Sequence, residues 1–341
     1  MRSAKRILCS ASDAGGAHAI APIIRALGDR GSLCEALLDG PAVDILGGID
    51  LLEHDVGVKS DTLLEEKIRS FDPDVLLVGT SSGPSIEKRI LPLVDCPSVA
   101  VLDFWSSYAE RFSKEEHDLA YLPSIVCVMD TEAKRGMMEA SIPEERIAIT
   151  GNPHVETWQA VQGAEDPYCI LFISQPVREV DGMKYGFDQH DALQGAISAL
   201  GSLPPQFRMS IRLHPKDLRS VYERYVSDRI SISEEPTLVA ALTRAGLVVG
   251  MFSPALIQAA VSQKCVISFQ PNGTADDPLL TNRLGLTQRV TSTEELCSVF
   301  SRYAKGEYPR ATIDINALWP PGAAERIIQI MDRLVSAKIP N

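Results

Sequence analysis

Short, nearly continuous runs of Val, Ile and Leu recur along the whole chain, and amphipathic stretches separate them. This alternation constrains the fold more than any other feature. In the first half the runs are "RILCSAS", "CEALLD", "DVLLVGT", "SVAVLDF", "SIVCVM" and "RIAITG"; in the second they are "YCILFIS", "MSIRLH", "ISIS", "GLVVGMF" and "CVISFQ". Most lack the strict alternation of a strand with one wet face, so they suit parallel strands covered on both sides. Between them lie helical patterns. In "AHAIAPIIRALGDRG" the residues Ile20, Ile23, Ile24 and Leu27 fall on one helical face, and Arg30 and Gly31 close it. A polar segment with Gly163, Asp166 and Pro167 divides the chain.

The reading is therefore α/β, with two Rossmann-like, doubly wound parallel-sheet domains and a cleft between them. The expected boundaries are 1–155 for an acceptor domain and 168–320 for a donor domain. A terminal helical stretch, 321–341, packs back across the domains. A length of 341 residues suits two domains of ordinary size. The net charge of −12 argues against a nucleic-acid partner, because phosphate backbones require a basic footprint. A local pocket for an anion needs no such footprint. The seven cysteines are scattered without a CxxC pair, which fits buried free thiols in a reducing compartment. No run approaches the ~20 apolar residues of a membrane span. The N-terminus reads as a first strand rather than a signal peptide. The expectation is a cytoplasmic protein, with peripheral membrane association left open.

Ligands of doubly wound sheets bind beyond the C-terminal ends of the strands, so chemistry is sought there. In "SASDAGGAHAIAP" a strand runs through Asp13, Gly15 and Gly16 into a helix. Asp13 is either a helix cap or a general base, and the two glycines either shape the turn or approach a ligand. In "LLVGTSSGPSIEKRI" the hydroxyls of Thr80 and Ser81 either hold a ligand or cap the next helix. In "VAVLDFWSSYAERF" the residues Asp103, Trp105, Tyr108 and Arg111 stand just past a strand, where an aromatic face and a carboxylate suit a sugar but also suit packing. In "ITGNPHVE" the Gly-Asn-Pro turn reads as a hinge, with Asn152 and His154 beside it.

Three strand ends of the second half carry donors. They are Ser174, Gln175 and Pro176; then His214, Pro215 and Lys216 in "IRLHPKD"; then Phe252, Ser253 and Pro254 in "VVGMFSPALIQAA". Ser253 is a ready N-cap with proline at the first helical position. A helix terminus contributes only ~0.3–1 kcal/mol to anion binding, and a hydrogen bond to a charged group roughly 1.5–3 kcal/mol. Micromolar affinity needs about 8 kcal/mol. One helix end cannot supply that, whereas several of these groups together could hold a ligand as large as a nucleotide sugar. No Walker A, GxGxxG, HExxH or DxD pattern is present. No metal is expected, and "TADDP" reads as a turn cap at Asp276 and Asp277 rather than a metal site.

The two halves, the "GNP" turn and the terminal helix resemble GT-B glycosyltransferases and their cousins, the UDP-sugar 2-epimerases. "SQP", "RLHPKD" and "FSPALIQAA" are similar to bacterial sialyltransferase-like and capsule-type transferases that use CMP-activated nonulosonic acids or Kdo. That resemblance implies His214 and Pro215 at the cytidine and phosphate, Ser253 at the phosphate, Gln175 in the same pocket, and Glu234 or Glu235 at the ribose or base. The acidic D/E-D/E-G motif of those enzymes is absent, so Asp13, or else Asp103, is left as the base, with His214 assisting the leaving group. Gly15, Gly16, His18, Ser81, Trp105, Tyr108 and Asn152 are the candidate acceptor contacts. The expected activity is inverting, metal-independent transfer, with no cofactor beyond the nucleotide-sugar donor (CMP-sugar first, UDP-sugar second) and a glycan, lipid-linked or protein acceptor. Rival readings are a UDP-GlcNAc 2-epimerase-like enzyme or nucleotide-sugar hydrolase, a CDP-glycerol-type polymer transferase, and a non-catalytic nucleotide-sugar-binding subunit.

Overall fold

The computed structural model describes residues 4–49, 53–115, 117–158, 161, 163–273 and 276–338. The chain forms two compact units. The first comprises residues 1–157 and 315–341, and the second residues 158–314. The terminal segment thus joins the first unit from Ile315, ahead of the expected position at 321.

Among the described residues, the first unit holds a seven-stranded sheet. Its strands are β1 (Arg6–Ala11), β2 (Leu33–Leu38), β3 (Glu53–Val56), β4 (Val75–Val78), β5 (Ser98–Val101), β6 (Ile125–Val128) and β7 (Ile147–Ile149). They lie in the order β3-β2-β1-β4-β5-β6-β7, all parallel. β4 and β5 are buried at every position, which explains their unbroken apolar sequences. The expected helix face is present: the helix Ala14–Asp29 buries Ile20, Ile23, Ile24 and Leu27, and Gly31 past its end has φ +74°. Ile327, Ile328, Ile330 and Met331 of the terminal helix Ala323–Lys338 belong to the same core.

The second unit holds six strands: β8 (Asp166–Ile173), β9 (Arg208–Arg212), β10 (Ile230–Ile232), β11 (Ala245–Gly250), β12 (Cys265–Phe269) and β13 (Gln288–Val290). Their order is β10-β9-β8-β11-β12-β13, again parallel. Both units are therefore α/β and doubly wound. The winding reverses between β1 and β4 in the first, and between β8 and β11 in the second. The edge strands β3 and β13 were not apparent in the sequence: "EHDV" and "QRV" are short and largely polar. All seven cysteines are free, and Cys9, Cys34, Cys127 and Cys265 are buried. Among the described residues no helix is long and apolar enough to cross a membrane.

Candidate functional site

In the first unit, the ends of β1, β4 and β5 meet in a buried polar cluster. Asp103, just past β5, pairs with Arg111 at 2.6 Å, and both side chains are largely buried. The Thr80 hydroxyl donates to Asp103 Oδ1 (3.1 Å) and accepts from Arg111 Nη1 (2.8 Å). Gly15 lies directly against the Asp103 carboxylate. A Cβ on Gly16 would meet the Thr80 amide nitrogen at 2.8 Å, so this glycine lets helix and strand cross closely. Asp13 occupies the N-cap position in extended conformation, yet its side chain makes no capping hydrogen bond. Ser81 is buried and donates to Glu87 Oε1 at 3.1 Å.

Glu87 is a residue that sequence reasoning missed. It is 2% exposed and accepts from the Ser12 amide at 2.9 Å and the Ser12 hydroxyl at 2.7 Å. Its only signal was an acidic side chain in the first turn of the helix Ile86–Ile90, directly after "TSSGPS". Its neighbour Lys88 is also buried. Nζ donates to the carbonyls of Ser82 (3.3 Å) and Glu110 (2.6 Å), and burial lowers its pKa.

The other candidate contacts of this unit are packed. Trp105 is 4% exposed, donates its indole N–H to Asp130 at 2.9 Å, and lies against Phe104 and Trp319. The Tyr108 ring lies over Gly136, where a Cβ would meet it at 2.2 Å. Asn152 is buried, and its side chain accepts from the amides of His154 and Val155, closing the Gly-Asn-Pro turn. His18 stacks on His154 with ring centroids 4.5 Å apart. Burial, reinforced by the His18 charge, lowers the His154 pKa to about 3. Burial, with Arg25, lowers that of His18.

In the second unit, the candidate donor residues gather at the ends of the adjacent strands β9, β8 and β11. The "HPKD" turn fixes His214 through the main chain. The His214 amide donates to Asp217 Oδ2 at 2.8 Å, and the Lys216 amide donates to His214 Nδ1 at 3.1 Å. With Nδ1 accepting, the proton of the neutral ring sits on Nε2, which is therefore a donor. Pro215 and Lys216 are exposed, whereas His214 is half-buried. Tyr222 shares a 2.7 Å hydrogen bond with Ser174, and Asp217 also bonds to it, linking the turn to the end of β8. Gln175 Oε1 accepts from the Phe252 amide at 3.4 Å, linking the ends of β8 and β11. Pro176 occupies the N-cap position of the short helix Val177–Asp181. Phe252 packs on Tyr185 and Phe187. Ser253 is the N-cap of the helix Pro254–Val261; its Oγ accepts from Ala255 and keeps its own O–H to donate, with Pro254 in the first turn.

Glu235 takes a different direction. Its carboxylate pairs with Arg244 at 2.9 Å, and its carbonyl accepts from Arg212 at 2.8 Å. Glu234 pairs with Arg219. The "TADDP" reading as a turn cap fits Asp277, which accepts from Leu279 N, Gln270 Nε2 and Asn282 Nδ2. Among the described residues no three His, Cys, Asp or Glu side chains come together as a metal site.

No protein-family model matches the chain, and no curated protein matches it. Solved structures do. S. aureus MnaA with UDP superposes with a TM-score of 0.70 at 17% identity, covering 99% of both chains. UDP-GlcNAc 2-epimerase from Neisseria meningitidis bound to UDP-GlcNAc gives 0.68 at 14% identity, covering 96% of this chain and 99% of the other. Anabaena Alr3699/HepE with UDP and glucose gives 0.58 at 15% identity, covering 98% and 99%. At these identities the likeness establishes the fold: the chain has the GT-B-like architecture that UDP-GlcNAc 2-epimerases share with glycosyltransferases.

Proposed function

We propose that this chain is a glycosyltransferase acting on a nucleotide-activated sugar. The observation that carries the reading is the fixed His214 turn, set at the strand ends beside the Ser253 helix cap and Gln175. His214 Nε2–H and the Ser253 hydroxyl bind the donor's phosphate. They stabilise the charge it gains as its bond to the anomeric carbon breaks. Asp13 takes the proton of the acceptor hydroxyl, whose oxygen attacks that carbon. Asp103, paired with Arg111 and Thr80, is the second candidate for this role.

The likeness of "RLHPKD" and "FSPALIQAA" favours a CMP-activated nonulosonic acid or Kdo. The similar structures named above contain UDP or a UDP-sugar instead. A pyrimidine nucleotide is common to both, and uridine is the first to test. Glycans, lipid-linked sugars and proteins are the acceptor classes. A second reading, 2-epimerisation, is favoured by the TM-scores of the three structures named as UDP-GlcNAc 2-epimerases, 0.65–0.68, against 0.57 for the two named as glycosyltransferases.

Calorimetry with UMP, UDP, CMP, CDP and GDP on wild type and His214→Ala tests the site. Selective pyrimidine binding that His214→Ala weakens supports it, and binding indifferent to His214 overturns it. Chromatography of UDP-GlcNAc incubated with the protein alone then separates the two readings, because only the epimerase yields the 2-epimer without an acceptor.

A further inference from the structure

The second unit contains a cavity of about 390 Å³ whose lining does not include His214. It runs along one face of β8, β9 and β10, and its wall includes the helix Leu238–Arg244. The sequence marks this face as unusual. Buried parallel strands are normally apolar on both sides. Here β9 reads "RMSIR" and β10, with Ser233 just past it, reads "ISI", with a period of two. Met209, Ile211, Ile230 and Ile232 are buried. Ser210 and Ser231 are register partners, and Arg208 pairs in register with Cys169, so the alternate positions form a polar row on the other face.

We infer that this cavity is an accessory binding site for a neutral saccharide. The serines Ser210, Ser231 and Ser233 offer groups that both donate and accept, as sugar hydroxyls do. Two guanidinium–carboxylate pairs, Arg208–Asp166 at 3.6 Å and Arg244–Glu235 at 2.9 Å, add fixed donors beside fixed acceptors. Vicinal hydroxyls satisfy both members of such a pair. Each carboxylate of the lining pairs with a guanidinium, Glu234 through Arg219, so the lining is balanced in charge. That balance disfavours a phosphate or a nucleotide and suits an uncharged polyol. The volume lies within the range of small-ligand sites, roughly 300–1,000 Å³. Glu234 and Glu235, which the transferase resemblance would put at the ribose or base, line this cavity, and the site does not depend on His214, Gln175 or Ser253. It holds a saccharide without reacting it.

The experiment titrates maltotriose, cellotriose, chitotriose and galactobiose into wild type, Ser231→Trp, the double variant Arg208→Ala/Arg244→Ala, and His214→Ala. Thermal unfolding checks that each is folded; Ser231, Arg208 and Arg244 are all exposed, so the fold tolerates these changes. At least one saccharide binds wild type. Filling the cavity in Ser231→Trp, or removing both guanidiniums, weakens that binding about tenfold or more, and His214→Ala leaves it unchanged. Failure of all four saccharides to bind wild type overturns the proposal. So does binding that survives Ser231→Trp, or binding that His214→Ala abolishes. Because nucleotide binding is not the readout, the proposed donor site can fail while this one stands.

Discussion

The Asp103 carboxylate fills the space that a side chain on Gly15 would need: a Cβ there would lie 1.9 Å from Asp103 Oδ2. Gly15→Ala therefore forces the carboxylate away from Arg111 and Thr80. Overpacking costs typically ~1–3 kcal/mol, and disrupting a nearly buried ion pair adds to it. Urea unfolding of Gly15→Ala should show a loss of this size, while pyrimidine nucleotide affinity, assigned to the other unit, stays near the wild-type value.

Asp217 holds the turn that carries His214, the residue proposed to bind the donor's phosphate. His214→Ala removes a hydrogen bond to a charged group, worth roughly 1.5–3 kcal/mol. Its nucleotide Kd should rise about tenfold to over a hundredfold by calorimetry. Asp217→Ala keeps the imidazole but frees the His214 amide and Tyr222. It should weaken binding by a smaller factor, and His214→Ala in the Asp217→Ala background should then cost less than it does alone.

The stacked pair His18 and His154 makes stability depend on pH. The folded-state pKa of His154 is about 3, against 6.5 when unperturbed. A depressed value means that the unfolded chain binds the proton more readily, so stability is full above about pH 6.5 and falls as pH drops towards 3. His18 shifts in the same direction. Urea midpoints measured between about pH 7 and about pH 4.5 should decline in wild type. His154→Phe, which keeps a stacking ring without a titrating group, should flatten that decline. An equal decline in the variant would assign the effect to other groups.

Asp130 Oδ2 accepts the indole N–H groups of both Trp105, at 2.9 Å, and Trp319, at 3.1 Å, and Oδ1 caps the helix Thr131–Glu139. Asp130→Ala leaves two buried donors and a helix end unsatisfied. Each unpaired buried group costs ~1–3 kcal/mol. The variant should unfold at clearly lower urea concentration, with tryptophan fluorescence altered before the transition.

Much of the fold was legible because most strands are buried on both faces, so their sequences are apolar without interruption. β3 and β13 escaped notice because edge strands are short and need not be apolar. The same logic divides the candidate site. Residues at single strand ends, such as Ser174, His214 and Ser253, could be found one run at a time. Glu87 and Arg111 could not be assigned roles, because those roles exist only where Ser12, Thr80 and Asp103 converge from distant segments. Trp105 suited either a sugar platform or packing, and nothing local in "DFWSS" shows that Asp130 and Trp319 take up its N–H and its ring face.

The first unit draws part of its core from Ile327, Ile328, Ile330 and Met331. On the ribosome, N-terminal domains ordinarily finish folding before later ones are made. Here the order inverts. Residues 158–314 emerge as a complete unit while the earlier sheet still lacks its last helix. The domain begun first is the one completed last, and a stalled or truncated product leaves it, rather than the second unit, with an open apolar flank.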